Sequence, residues 1–156
     1  MHVNGQPDNK SGVLPNRLML GEGPGAIECE RLGLASQALN AALLQSVPPS
    51  AGKDPINYIF PAWPKEWDAQ FRLAARNAFL ISASMEKGQI EFVEIQSDKG
   101  GNCMIKNPWG DAELTLYRNG KQSKNISGKL LSLTSKAGET LTLVPKGKQL
   151  VVKEIF

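Results

Sequence analysis

The stretch FPAWPKEWDAQF, residues 60–71, concentrates the residue types from which a sugar-binding surface can be built. It holds two of the chain's three tryptophans, Trp63 and Trp67, together with two prolines and several charged residues. An exposed indole ring offers an apolar face on which a sugar ring can stack, and a polar N–H at its edge. The same composition also suits part of a catalytic mouth, or a rigid connector between two pieces of a larger enzyme. The elements on either side must decide between these uses.

For each tryptophan, packing is the main alternative to ligand contact. Trp63-Pro64 and Pro108-Trp109 each join a large ring to a stiff proline, a combination that fixes a corner of the chain. We therefore expect Trp63, Trp67 and Trp109 to be buried where the predicted helix meets the predicted sheets. Contact with a carbohydrate, through Trp63 or Trp67, is the alternative.

Other chemistry finds little support in the composition. The lone histidine, His2, cannot supply a histidine-based triad or a histidine-rich metal site, and Cys29 and Cys103 are too far apart for a metal-binding pair. No GxSxG elbow is present to mark a serine nucleophile. We therefore expect no metal and no cofactor.

The charge distribution and the apolar runs limit the partners. Residues 101–156 hold nine lysines and arginines against four acids, but only Arg118 is an arginine and the lysines are scattered, so we do not expect nucleic-acid binding. No apolar run is long enough to span a bilayer. The first twenty residues lack the pattern of a signal peptide. As given, we expect a cytoplasmic location, unless an export signal lies elsewhere in a longer protein.

The N-terminal half divides into an arm, a helix and a connector. Residues 1–27 are rich in Gly, Pro and Asn and predict an irregular arm. Residues 30–46 predict an amphipathic helix that stops before Pro48 and Pro49, because a helix cannot continue through proline. Its apolar stripe needs a sheet or partner helices to cover it. An aromatic and proline-rich connector is predicted for residues 47–72. The helix and this connector together make up the second predicted region, residues 28–72.

From about Leu73 the apolar period changes to two, which predicts strands. Seven or eight short segments rich in β-branched and aromatic residues alternate with glycine turns. In QIEFVEIQ, Ile90, Phe92 and Ile95 tend to one side while Glu91 and Glu94 face outward. This pattern predicts a mainly β fold, an antiparallel, jelly-roll-like β-sandwich over residues 73–156.

Several motifs in a fixed order resemble the C-terminal end of glycoside hydrolase family 95, the α-L-fucosidase family and its bacterial relatives that degrade polysaccharides. These motifs are the helix end ALLQS, the stretch FPAWP, RLAARNAFLIS, GNCMIKNPWG and AGETLTLVPKG, and the similarity covers roughly residues 28–146. The resemblance implies a helix that closes an α/α barrel, followed by an accessory C-terminal sandwich. The barrel and the N-terminal β-domain of that family have no counterpart in this sequence.

The same resemblance implies a place for one catalytic carboxylate, just before the last barrel helix. The nearest match is Glu30, with Glu28 as the alternative, although the flanking residues ECERLG do not match the family. A favourable charge at a helix N-terminus is the preferred explanation of both glutamates, and the remnant of a catalytic carboxylate is the alternative. Because glycoside hydrolysis needs two groups flanking the scissile bond, we expect the isolated chain to be inactive.

Two functions are therefore carried forward. The first is a non-catalytic accessory sandwich of a fucosidase-like glycoside hydrolase, a family commonly exported; its partner would be the α/α barrel, or a second copy through the helix of residues 30–46. The second is an autonomous carbohydrate-binding module that uses Trp63 and Trp67.

Overall fold

The computed structural model describes residues 2–4, 17–19 and 29–150. The chain divides into two compact units, Met1–Asn40 and Ala41–Phe156. The elements in chain order are β1 (His2–Asn4), β2 (Arg17–Met19), α1 (Cys29–Leu43), β3 (Leu44–Val47), β4 (Ile56–Ile59), β5 (Ala69–Ala75), β6 (Phe79–Glu86), β7 (Gln89–Ser97), β8 (Gly101–Lys106), β9 (Leu114–Arg118), β10 (Lys121–Ile126), β11 (Leu130–Ser135) and β12 (Glu139–Pro145).

The predicted arm contains a short antiparallel pair of strands. β1 and β2 form a two-stranded sheet in which Val3 is registered with Leu18. The rest of the arm, residues 1, 5–16 and 20–27, lies outside the described residues. The predicted last strand, residues 149–156, also lies outside them, apart from its first two residues.

Helix α1 ends three residues earlier than predicted. The sequence predicted helix to Ser46, but α1 ends at Leu43 and the next four residues form β3. β3 pairs antiparallel with β4, which places Leu44 opposite Ile59 and buries both side chains. Strand pairing and burial together outweigh the helix propensity of the segment, which is a weak preference. The proline pair therefore follows a strand and not a helix.

The second unit is built from two sheets. A six-stranded antiparallel sheet has the order β10-β9-β12-β7-β6-β5. A four-stranded sheet has the order β11-β8-β4-β3, and its β4–β8 pair is parallel. The sheets share one hydrophobic core, to which both contribute fully buried residues such as Ile81 and Leu143 from the larger sheet and Ile105 from the smaller. The predicted mainly β sandwich, preceded by one helix, is confirmed.

The connector predicted for residues 47–72 contains β4 and the start of β5. β4 lies between two strands of the smaller sheet, and β5 begins at Ala69, four residues before the predicted start of the strands. β4 has only four residues, INYI, and prolines and glycine precede it, so its alternation is too short to be recognised in the sequence. One of its neighbours, β8, is distant in sequence, and only the tertiary structure brings it beside β4.

The lysine-rich segment after β9 is also a strand. The segment RNGKQSKN has the polar composition of a turn, but only Asn119 and Gly120 form the tight turn, both with positive φ (47° and 75°), as expected for a type I′ hairpin. β10 follows as the exposed edge of the six-stranded sheet, with a bulge between Gln122 and Lys124. Charged side chains and bulges are common at edge strands, where they oppose pairing with other chains.

A partly buried ion pair links β9 to β12. The Arg118 guanidinium donates to a Glu139 carboxylate oxygen at 2.8 Å, and the backbone N–H of Lys136 donates to the other oxygen at 2.8 Å. These two hydrogen bonds hold the pKa of Glu139 below its ordinary value, and the bond from Arg118 has the larger effect. Glu139 is buried, so its negative charge is matched by donors in the folded state.

This ion pair predicts a pH-dependent contribution to stability. A carboxyl whose folded pKa is lowered stabilises the fold fully above its unfolded pKa, about 4.3, and loses that contribution as the pH falls through the folded value. We expect Glu139→Gln to unfold at lower urea concentration than the native chain at pH 7, and the difference to shrink toward pH 3. Glu113→Gln removes an exposed pair with Lys146 and is the control, with a small effect throughout. A Glu139→Gln deficit that stays constant with pH would contradict the assignment.

Candidate functional site

The aromatic loop, residues 61–68, runs between β4 and β5. A turn closed by a hydrogen bond from the Trp67 N–H to the Pro64 carbonyl (3.2 Å) brings the two tryptophans together. The Trp63 indole N–H donates to the Trp67 carbonyl at 3.0 Å. The rings meet edge to face, with centroids 5.9 Å apart and planes at 75°. This is one of the preferred arrangements of aromatic pairs.

The two rings differ in exposure. Trp63 is half-buried and packs against the hydrophobic core, so the burial expected from the sequence is only partial. Trp67 is 60% exposed, so its predicted burial is wrong. The physical reason is the turn at Pro64, which directs the chain back over Trp63 and leaves the second ring on the outside. Trp63 thus supports Trp67 from beneath, and Trp67 presents its ring to solvent.

The aromatic loop is seated on the hairpin between β6 and β7. The Asp68 carboxylate accepts a hydrogen bond from the Lys87 N–H at 2.6 Å. Lys87 and Gly88 both have positive φ, and a Cβ at position 88 would lie 3.1 Å from the Lys65 carbonyl oxygen. Glycine therefore permits both the turn and the close approach of the loop. The result is a loop whose position is set by the sandwich and not by its own flexibility.

The start of the aromatic stretch caps the end of α1. The Phe60 N–H donates to the Leu43 carbonyl at 2.7 Å, and the Ala62 N–H donates to the Ala42 carbonyl at 3.3 Å. The last four carbonyls of a helix have no partner within the helix, and these bonds satisfy two of them. Phe60 has a φ of 51° and packs edge to face on Phe71, with centroids 5.1 Å apart. A buried aromatic residue with positive φ is uncommon, which shows that this corner is held by its surroundings.

Trp109 has a structural role. Its indole N–H donates to the Ile90 carbonyl at 2.9 Å, and its ring packs against the core. The loop that carries it is organised by buried Asn107, whose side chain accepts from the Trp109 N–H (3.0 Å) and donates to the Gly128 carbonyl (3.0 Å) and the Ala112 carbonyl (3.3 Å). Asn107 was not among the residues predicted to matter, although an asparagine before Pro-Trp-Gly is a turn signal.

Of the two predicted catalytic carboxylates, the structure describes only Glu30. Glu30 is the second residue of α1, in its first turn, and Glu28 lies outside the described residues. In the part of the chain that the structure describes, no group of three or more His, Cys, Asp or Glu side chains could hold a metal ion. The pKa of Glu113 is lowered by its hydrogen bond with Lys146, so this carboxyl, like Glu139, is a poor proton donor near neutral pH.

Cys103 is not an activated nucleophile. Its side chain is buried beside Asn57, whose amide donates to the sulfur at 3.5 Å and to the Met104 carbonyl at 3.0 Å. Burial raises the pKa of the Cys103 thiol to about 12, although the hydrogen bond from Asn57 opposes this rise. The reactive form of cysteine is the thiolate, which is scarce at neutral pH under these conditions.

The chain matches no protein-family model and no curated protein. No helix within residues 29–150 has the length and apolar character required to cross a membrane.

Proposed function

We propose that this chain is a non-catalytic accessory β-sandwich of a fucosidase-like glycoside hydrolase. The ordered series of motifs from ALLQS to AGETLTLVPKG supports the proposal, because it follows the order of the C-terminal end of that family. The capping of α1 by Phe60 and Ala62 supports it further. Through these bonds the helix end and the sandwich are joined by the aromatic stretch, as expected for the exit from a barrel into an accessory domain.

The exposed apolar side chains of α1 are the observation that carries this proposal. Leu34 is 66% exposed and Leu39 is 54% exposed. A helix of a self-contained domain normally turns its leucines toward a core, whereas a helix that packs against partner helices keeps them available. We propose that these two leucines contact helices of an α/α barrel in the complete enzyme.

Exposed leucines predict self-association when the chain is isolated. We expect a reversible, concentration-dependent increase in mass in sedimentation velocity, because association removes apolar surface from water. The double variant Leu34→Ser and Leu39→Ser should lose it, while Ser36→Ala and Gln37→Ala, at exposed polar positions of the same helix, should keep it. A strictly monomeric chain at high concentration would count against the accessory role.

The proposal also requires that the isolated chain be inactive. We expect no release of fucose or other sugars from aryl glycosides or oligosaccharides. Turnover that disappears in Glu30→Gln would overturn the non-catalytic assignment and return Glu30 to a catalytic role.

Carbohydrate binding is the second candidate, and the exposure of Trp67 is the observation that favours it. The ring is 60% exposed, is supported edge to face by Trp63, and lies next to the exposed polar side chains of Lys65, Glu66 and Asp68. An exposed ring held in one orientation can stack on a sugar without a large loss of side-chain entropy.

This candidate predicts glycan binding that depends on Trp67. On a glycan array and in affinity gels, we expect Trp67→Ala to weaken binding about tenfold, equivalent to ~1.4 kcal/mol, and Trp67→Phe to retain part of it. Trp63→Ala should weaken binding indirectly, by removing the support of the exposed ring. Binding that is unchanged in Trp67→Ala, or absent in the native chain for plant, mucin and host glycans, would leave the accessory role alone.

A further inference from the structure

A groove opens between the two sheets on the side of the sandwich opposite β3 and β5. It has a volume of about 270 Å³ and lies between the inner face of β9 and β10 and the edge strand β11. Five consecutive residues of β11, from Leu130 to Thr134, line it. Side chains alternate between the two faces of a strand, so consecutive residues border one groove only when the backbone edge itself faces it.

The backbone groups at this edge are directed into the groove. The Asn107 N–H donates to the Lys129 carbonyl at 2.9 Å, so the next pair in the ladder, Leu130 with Lys106, is of the non-hydrogen-bonded kind. Hydrogen-bonded and non-hydrogen-bonded pairs alternate along an antiparallel ladder, so the pair of Ser132 and Met104 is also non-hydrogen-bonded. The N–H and C=O groups of Leu130 and Ser132 therefore point away from β8, and they have no hydrogen-bond partner among the residues that the structure describes.

Arg118 limits the available edge at one end. Its guanidinium donates to the Thr134 carbonyl at 3.0 Å and to Glu139 at 2.8 Å, so both its charge and this carbonyl are already occupied. The free part of the edge thus runs from Leu130 to Ser132. The side chain of Leu130 is itself 45% exposed. An added strand of about five residues would satisfy these backbone groups.

Lys124 gives the groove its chemical preference. It is registered with Leu116, a fully buried residue of the inner face, so Lys124 points to the same face and lines the groove. It forms no ion pair with any residue in the described part of the chain. An apolar strand laid in the groove would bury this ammonium without a counter-charge, which is unfavourable, whereas an acidic side chain would pair with it.

We propose that the edge of β11 binds an extended segment of a partner protein, which adds to the four-stranded sheet and places an acidic side chain against Lys124. A second copy of this chain is a poor occupant by the same charge argument. Its β11, LLSLTS, has no acidic residue, and its β10, KQSKNI, is basic. The proposal does not depend on the carbohydrate-related role of the chain.

The test uses the full chain and two capped, fluorescein-labelled peptides with the sequence Thr-Val-Thr-Xaa-Thr-Val-Thr, in which Xaa is Glu or Gln. We expect fluorescence anisotropy to show at least fivefold tighter binding of the Glu peptide. Lys124→Gln should abolish the difference between the two peptides. Lys106→Gln, the same charge change at an exposed position of β8, should preserve it.

Strand addition has its own readouts. Ser132→Pro removes one of the free N–H groups, and because proline is tolerated on an edge strand, the thermal midpoint should change little while binding of both peptides is lost. A Glu peptide N-methylated on the residues that face β11 should also fail to bind, although its charge is unchanged.

Four results would overturn the proposal. The first is equal binding of the Glu and Gln peptides, or no binding of either at millimolar concentration. The second is binding that survives both Ser132→Pro and N-methylation. The third is an oligogalacturonate that binds more tightly than the Glu peptide with the same dependence on Lys124, which would assign the groove to an acidic saccharide. The fourth is self-association that Ser132→Pro abolishes, which would assign the edge to a second copy.

Discussion

Leu143→Ala is expected to lower the free energy of unfolding by about 3 to 5 kcal/mol, the usual cost of a leucine-to-alanine change in a well-packed core. Leu143 is fully buried in β12, the strand that pairs with both β7 and β9. It is registered with Val93 on one side and Leu116 on the other, and both are fully buried. Two ladders hold its backbone in place, so the cavity cannot easily collapse.

The measurement is urea unfolding followed by circular dichroism, with the slope compared between variants to check that the transition remains two-state. Leu130→Ala is the matched control, because it makes the same change on a strand at a side chain that is 45% exposed. Its effect should be less than ~1 kcal/mol. A loss at Leu143 no larger than that at Leu130 would show that the shared core does not carry the stability of the sandwich.

Asn107→Ala is expected to cost about 2 to 3 kcal/mol, although it removes no large apolar group. The change strands three partners of the side chain: the Trp109 N–H and the carbonyls of Ala112 and Gly128. Each polar group that is left buried without a hydrogen bond costs about 1 to 3 kcal/mol. Partial hydration of the loop keeps the total below the sum of the three.

Thermal unfolding monitored by tryptophan fluorescence tests this prediction, because the loop carries Trp109. Asn102→Ala is the matched control: Asn102 is only partly buried and bonds mainly with Ser132 on the sheet surface. A midpoint for Asn107→Ala that is indistinguishable from that of Asn102→Ala would contradict the role given to Asn107. Confirmation would identify NPWG as a packing motif and remove Trp109 from consideration as a ligand contact.

Most strands of the C-terminal half, in both sheets, could be predicted because their alternation is local. In LLSLTS, three residues face inward and are buried while three face outward and are exposed. The segments that form β6, β7, β8, β9 and β12 were likewise recognised close to their observed bounds. The glycine turns between them were also readable, since a positive φ at Gly120 or Gly88 is a requirement of the backbone and not of the partner.

The failures share a different cause. β3 was predicted as helix and β4 as connector, and β10 has no recognisable strand period. Each depends on a neighbour that is distant in sequence or on its place at a sheet edge. In LQSV and INYI the alternation covers only four residues, too few to distinguish a strand from other states. Nearly every residue of KQSKNI is exposed, so the segment shows no alternation of apolar and polar residues from which a strand could be predicted.

The candidate site divides in the same way. The residue types were evident in the sequence: two tryptophans, prolines that limit the backbone, and an acid that follows them. The sequence did not show which tryptophan ring would be exposed. That depends on the turn at Pro64 and on the hydrogen bond by which Asp68 holds the aromatic loop against the hairpin of Lys87 and Gly88.

The sequence by itself therefore determined the mainly β class, the helix before the sandwich, and the aromatic stretch between them, because periodicity, proline and glycine act locally on the backbone. Only the tertiary structure decided that this stretch caps α1, that Trp63 supports an exposed Trp67, and that β11 leaves a free edge beside Lys124. Each of these depends on which strands become neighbours, and pairing between distant segments is decided by the burial of the whole core and not by any one segment.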